Sequence, residues 1–211
     1  MVLKLYGMPL STCTKRVVTV LAEKKVDYEL VTIDFAKAEH KSAPYLQKQP
    51  FGKIPYLDDD GFIVFESRAI ARYIATKYAN QGTQLLPAAG DLKAQAIFEQ
   101  GVSVENNYFN PPAEGIADER AFKKYRGQES DEEAVKKHAA ALDAALKGYE
   151  SILSRQKYIG GNEITLADLF HLPYADLARK LGFKETFDKY PHVTKWFEEL
   201  EKRESWIKAN S

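Results

Sequence analysis

The chain is poor in the features that mark several large protein classes. It has one cysteine in 211 residues, Cys13, so an internal disulfide and any zinc site built on paired cysteines are excluded. Thirty basic side chains balance thirty acidic ones, and the near-even split continues on both sides of residue 80. A nucleic-acid binder would carry a basic excess, and no charged partner is indicated. No apolar run approaches the ~18 residues of a membrane helix. The start, Met1-Val2-Leu3-Lys4-Leu5-Tyr6-Gly7, alternates too quickly for a secretory signal. Repeats and low-complexity tracts are absent. These absences point to a soluble cytoplasmic protein with no membrane or nucleic-acid partner, long enough for two small hydrophobic cores.

The chain does have a change of texture near residue 80. Before it, strand and helix signals alternate. Val2–Tyr6 runs into the turn Gly7-Met8-Pro9, and Ser11 or Thr12 can cap a helix to about Lys25. A strand over Tyr28–Ile33 and a short helix over Ala43–Gln47 follow. Ile54–Leu57 and Phe62–Phe65 read as a hairpin around Asp58-Asp59-Asp60-Gly61, and Ser67–Tyr78 as a third helix. Residues 81–90, with Gly82, Pro87 and Gly90, read as a linker. From 91 to 211 only helix signals remain: Leu92–Asn110 up to a break or bend at Pro111-Pro112, then Ala134–Leu153 with an apolar stripe. In Thr165-Leu166-Ala167-Asp168, an aspartate completes a capping box. The fold class is therefore α/β followed by all-α: a βαβ-ββα domain over 1–80 and a helical domain over 91–211.

Function is concentrated in Phe51-Gly52-Lys53-Ile54-Pro55 and Glu66-Ser67-Arg68-Ala69-Ile70. A short strand ending on proline offers backbone groups at a sheet edge. The start of the following helix offers unpaired N–H donors and a partial positive charge suited to a carboxylate, with Glu66 beside it for an ammonium. A ligand carrying an amine, a carboxylate and peptide bonds fits this cradle, which describes a short peptide.

These motifs, with Pro9-Leu10-Ser11, Ala38-Glu39-His40-Lys41 and Thr165–Asp168, give the whole chain a resemblance to glutathione transferases, most of all the phi-type group of plants, fungi and bacteria. The resemblance implies a thioredoxin-like domain joined to a helical bundle, a homodimer, and glutathione as co-substrate with no metal or cofactor. It implies conjugation of glutathione to hydrophobic electrophiles, or peroxide reduction by the same thiolate. Ser11 would donate a hydrogen bond to that thiolate. On spacing alone Ser11 reads first as an ordinary helix cap, and the resemblance reverses that weighting. Tyr6 and Cys13 are rivals for the chemical role, Cys13 through thiol–disulfide exchange. The resemblance assigns His40 and Lys41 to the glycine carboxylate. Lys53, standing where relatives commonly carry glutamine, retains a donor for the same end. Ile54 would give main-chain bonds to the cysteinyl part, before a cis Pro55. Glu66 and Ser67 would hold the γ-glutamyl end. Leu10, Phe35, Phe109 and Ile116 would line an electrophile site where the domains face each other. A carrier of hydrophobic ligands without turnover is the alternative function.

Overall fold

A computed structural model describes residues 2–211, which pack as two units. The first runs to Gln84 and includes Glu204–Ser211, and the second is Leu85–Arg203.

In the first unit, β1 (Leu3–Gly7) leads through α1 (Thr12–Glu23) to β2 (Tyr28–Thr32), and β2 pairs parallel to β1. After a 3-10 turn at Glu39–Lys41 and a short α2 (Ala43–Leu46), β3 (Tyr56–Asp59) pairs antiparallel to β1. It continues into β4 (Phe62–Phe65) and α3 (Ser67–Lys77). The sheet order is β2-β1-β3-β4. Leu3 and Leu5 alternate inward along β1, and Val17, Val20 and Leu21 of α1 are buried with Ile70, Ala71 and Ile74 of α3. This is the period-2 strand against period-3.6 helix packing that the sequence pattern requires.

The hairpin differs from expectation in register. Its turn is Asp60-Gly61, both at positive φ (55° and 90°), as a two-residue type I′ connection demands. The strand therefore extends to Asp59, opposite Phe62, and pairing begins at Tyr56, leaving Ile54 and Pro55 outside the ladder.

The second unit contains α4 (Leu92–Val104), α5 (Asn110–Ala117), α6 (Lys123–Tyr125), α7 (Glu132–Leu153), α8 (Leu166–Leu169), α9 (Leu172–Ala178), α10 (Lys184–Asp188) and α11 (Pro191–Glu201). Pro111 and Pro112 do not end the helix. A π-helical turn at Glu105–Phe109 precedes them, with the Asn110 N–H bonded to Glu105 O. The prolines then occupy the first turn of α5, where a missing N–H is tolerated. The core is aromatic: Phe109, Tyr149, His171, Trp196 and Phe197 lie in mutual ring contact.

Asp168 anchors this core. Fully buried, it accepts hydrogen bonds from Thr165 N (2.9 Å), Thr165 Oγ1 (3.1 Å), Ile159 N (2.8 Å) and Trp196 Nε1 (3.1 Å). The capping box is formed as the sequence suggests. The last helix, α12 (Glu204–Asn210), belongs to the first unit and not to the helical one. It packs on α1, with Ser205 Oγ donating to Glu23 Oε1 (2.5 Å) and Lys15 Nζ to Asn210 Oδ1 (2.5 Å). Its buried Trp206 and Ala209 supply the apolar contact.

Candidate glutathione site

The turn between β1 and α1 carries Ser11. The Ser11 N–H bonds to Met8 O (3.0 Å), and its Oγ accepts from Thr14 N at 3.3 Å. Ser11 is thus the N-cap of α1, with extended backbone (φ −70°, ψ 127°). Capping uses one lone pair of the hydroxyl and leaves its proton for an outside acceptor. Because Ser11 is half-buried, that acceptor can be a ligand. Gly7 brings this turn against Pro55: a β-carbon at Gly7 would lie 3.4 Å from Pro55 Cβ and only 2.6 Å from Thr14 Oγ1. The Ile54–Pro55 peptide is cis, as the resemblance implies.

Tyr6 is not at this turn but stacked on Tyr56 (centroids 4.4 Å apart, 11° between planes), so it packs on the sheet. Cys13 is half-buried and accepts a hydrogen bond from Arg16 Nη1 at 3.5 Å.

Glu66 and Ser67 begin α3. Glu66 adopts φ 68°, ψ 111° and makes no side-chain cap. A non-glycine residue held in so sparsely populated a region costs on the order of 1–3 kcal/mol, and such strain gathers at ligand clamps. Ser67 is buried, and its Oγ accepts from the buried Arg16 Nη1 at 2.9 Å. The same guanidinium nitrogen therefore bonds to the second residue of α1 and the first of α3.

The loop after Phe35 closes on the Gly52 segment. Lys41 Nζ donates to Gly52 O (3.1 Å) and more weakly to Phe51 O (3.4 Å). Gly52 has φ +58°, and a side chain there would strike Lys41 Nζ at 2.7 Å and His40 O at 2.8 Å, so only glycine fits. The buried Gln49 orders this segment, its Oε1 accepting from Phe51 N (2.8 Å) and Lys53 N (3.2 Å). Tyr45 Oη donates to Lys53 O at 2.6 Å. His40 stacks on Phe35 (4.1 Å, 15°). Burial first, then the charges of Lys41 and Lys53, hold its imidazole below the ordinary histidine value. His40 Nδ1 is buried with no protein partner. The charges of Lys41 and Lys53 thus both reach the His40 ring, and a group of donors of this kind suits an anion.

Of the electrophile candidates, Leu10 and Phe35 belong to the first unit and Phe109 and Ile116 to the second. Leu10, next to Ser11, is 81% exposed. Phe35 packs under His40 and against the cluster of Ile33, Tyr45 and Tyr56. Phe109 and Ile116 have no exposed surface. Phe109 lies in the aromatic core of the helical unit, so these two offer packing where ligand contact was expected. Aromatics and isoleucine near a Pro-Pro step carry no sequence mark separating lining from core.

Sequence reading missed Arg16 and Gln49. An arginine amid Thr14, Val17 and Val18 on the inward face of α1 is the signal that could have revealed the first. For Gln49, only its place before Pro50 hints at a role.

A thioredoxin-like unit joined to a helical one defines the glutathione transferase fold, and comparison with known proteins gives the family. Residues 1–76 match the glutathione S-transferase N-terminal domain and residues 108–204 its C-terminal domain. This chain belongs to the glutathione S-transferase family and is similar to its plant phi class. It is 47% identical to glutathione S-transferase hmp2 of Hypomyces subiculosus, across 100% of this chain and 99% of that protein. Glutathione transferase F7 from Populus trichocarpa superposes with a TM-score of 0.94, at 40% identity over 99% of this chain and 97% of that one. Glutathione S-transferase I from maize, in complex with an atrazine glutathione conjugate, superposes with a TM-score of 0.92. It is 34% identical, over 100% of this chain and 97% of that one.

Proposed function

We propose that this transferase attacks apolar electrophiles with a glutathione thiolate held by the Ser11 hydroxyl. Glutathione's γ-glutamyl carboxylate meets the start of α3, at the Ser67 hydroxyl and the helix N–H groups, and its amine meets Glu66. The backbone of Ile54, outside the sheet ladder, pairs with the cysteinyl peptide. His40, Lys41 and Lys53 take the glycine carboxylate. The sulfur then lies at the β1–α1 turn. One hydrogen bond favours its ionised form, and exposed Leu10 offers apolar surface to the acceptor. The thiolate adds to the electrophilic carbon, the leaving group departs with its electron pair, and the thiol proton passes to water. The bound tripeptide presents its sulfur at high effective concentration, which needs no strong base. With a hydroperoxide, the same thiolate attacks the O–O bond to give a sulfenic acid and an alcohol, and a second glutathione then yields the disulfide and water.

The observation that carries this reading is a capping hydroxyl with a proton to give at Ser11 together with a strained, uncapped start of α3 at Glu66-Ser67, the two helices being linked through Arg16. The decisive experiment combines retention on immobilised glutathione, release by free glutathione, and conjugation of a chloronitrobenzene. A protein that passes through the column and binds hydrophobic dyes without turnover is a carrier, and the proposal is then wrong.

The family resemblance also implies a homodimer. Phe51, 66% exposed and edge-on to Phe65 (6.1 Å), suits a subunit face. Light scattering should return twice the 23.9 kDa chain mass; a single-chain mass would refute it.

A further inference from the structure

We propose that Arg16 is a positioning residue for glutathione capture, fixing the Ser67 hydroxyl as a donor toward the γ-glutamyl carboxylate. This rests on the placement of glutathione given above.

Arg16 lies five residues past Ser11 on α1 and has no exposed surface. Its Nη1 is 2.9 Å from Ser67 Oγ and 3.5 Å from Cys13 Sγ. A guanidinium carries only donors, whereas a hydroxyl has one donor and two acceptor sites. Arg16 therefore fills an acceptor site of Ser67 and can take no proton in return. The Ser67 proton must be given elsewhere, and the ligand side of the α3 start is where an acceptor arrives. Donation by a cation also polarises the O–H and strengthens the bond it makes onward. The buried positive charge adds to the partial charge of the helix start, so both favour an anion at one place. The bond to Cys13 gives the same guanidinium a hold on the first turn of α1, next to Ser11. Lysine, a single point donor on a flexible stem, cannot hold both neighbours in a fixed plane.

A plain strut between two helices would weaken the fold and every ligand alike; a positioning residue acts only on ligands that carry the γ-glutamyl group. The test compares Arg16→Lys, Ser67→Ala and the double variant, with glutathione and with cysteinylglycine, which lacks that group. Thermal melting is followed alongside. Arg16→Lys should raise KM for glutathione about tenfold, as for one lost charge-assisted bond, and change kcat by less than about threefold. It should leave kcat/KM for cysteinylglycine unaltered and add nothing to the effect of Ser67→Ala. Should Arg16→Lys not fold, Arg16→Gln is read in the same way. If Ser67→Ala raises KM but the Arg16 variant impairs both thiols equally, or multiplies the Ser67 effect in full, the positioning role is overturned while the glutathione placement stands. If Ser67→Ala leaves KM for glutathione unchanged, the placement itself fails and the proposal falls with it.

Discussion

Removing the Ser11 hydroxyl should displace the pH dependence of the reaction by an amount the structure bounds. On the proposed reading, Ser11→Ala loses two bonds. The cap bond to Thr14 N is long at 3.3 Å, which places it at the low end of cap energies, about 0.5–1 kcal/mol of fold stability. The donor bond to the thiolate is charge-assisted, about 1.5–3 kcal/mol in general. Ser11 is half-exposed to water, so the lower part of that range applies, about 1.5–2 kcal/mol, or roughly 1–1.5 pKa units. An ordinary thiol near pKa ~8.5 is then held near ~7–7.5 in the parent complex. At neutral pH a quarter to a half of the bound glutathione is thiolate, roughly, against a few per cent in the variant.

The sign follows directly. The nucleophile is the deprotonated form, so the rate rises with pH through the thiol pKa, and losing the donor moves that rise upward. Ser11→Ala should lose about tenfold in kcat/KM at neutral pH and approach the parent rate above about pH 9. Ser11→Thr, which keeps a hydroxyl, should retain the parent midpoint. The assay is chloronitrobenzene conjugation across roughly pH 6 to 9, with ultraviolet thiolate absorbance of the binary complex as an independent titration. A uniform loss at every pH with an unmoved midpoint would show that Ser11 only caps α1, and the thiolate role would be refuted.

Other outcomes follow from the same geometry. Asp168→Ala strands four buried donors and should cost more than about 3 kcal/mol in urea unfolding; a loss under about 1 kcal/mol would contradict the anchoring role. Burial raises the Asp168 carboxyl to about 6 against its four hydrogen bonds. The folded state thus holds this proton more tightly than the unfolded state, and the associated stability is complete below the ordinary value of 3.8 and is lost as pH rises through about 6. Asp168→Asn should flatten that slope, which melting curves at successive pH values would reveal. Glu66→Gly relieves the φ 68° conformation and should leave stability unchanged or higher by about 1 kcal/mol. It should also weaken glutathione binding, and unaltered binding would remove Glu66 from the site. His40→Ala with Lys41→Ala should raise KM for glutathione but not for γ-glutamylcysteine, which has no glycine carboxylate. Equal losses for both would move the carboxylate elsewhere.

Much of the fold was readable because it rests on period and punctuation. Leu3 and Leu5 alternate, Val17, Val20 and Leu21 recur at helical spacing, and Thr165–Asp168 spells a box, all local signals with local consequences. The turn at Asp60-Gly61 was legible in kind but not in register, since three aspartates in a row leave the closing pair ambiguous until strand pairing selects it. The break or bend expected at Pro111-Pro112 takes the form of a π turn just before them, which has no sequence signature and places both prolines where an N–H is dispensable. The tail fooled the pattern for a different reason: a helix at 204–210 looks like its helical neighbours, and only the pairing of Ser205 with Glu23 and of Asn210 with Lys15 assigns it to the first unit. For the site, residues in motifs carry a sequence signal and residues acting through others do not. Arg16 and Gln49 are invisible because their partners, Ser67 for Arg16 and two backbone amides for Gln49, become neighbours only on folding.

Three helices of the second unit start on side-chain caps that include a carboxylate. α4 and α7 are closed by aspartates, Asp91 accepting from Ala94 N (3.0 Å) and Asp131 from Glu133 N and Ala134 N (2.9 and 3.1 Å). α8 is closed by Thr165 with Asp168. A carboxylate there satisfies the exposed N–H groups and cancels the partial charge, which is good for a helix that only supports. The two helices proposed to meet glutathione are not closed that way. α1 has a neutral hydroxyl cap with a proton to give, and α3 begins at a strained glutamate whose side chain makes no cap. An aspartate at position 66 or 11 would stabilise its helix and compete with the ligand's own anion for the same N–H groups. On the proposed reading, the open start of α3 leaves its N–H groups to the ligand's carboxylate, and the Ser11 proton is left for the thiolate.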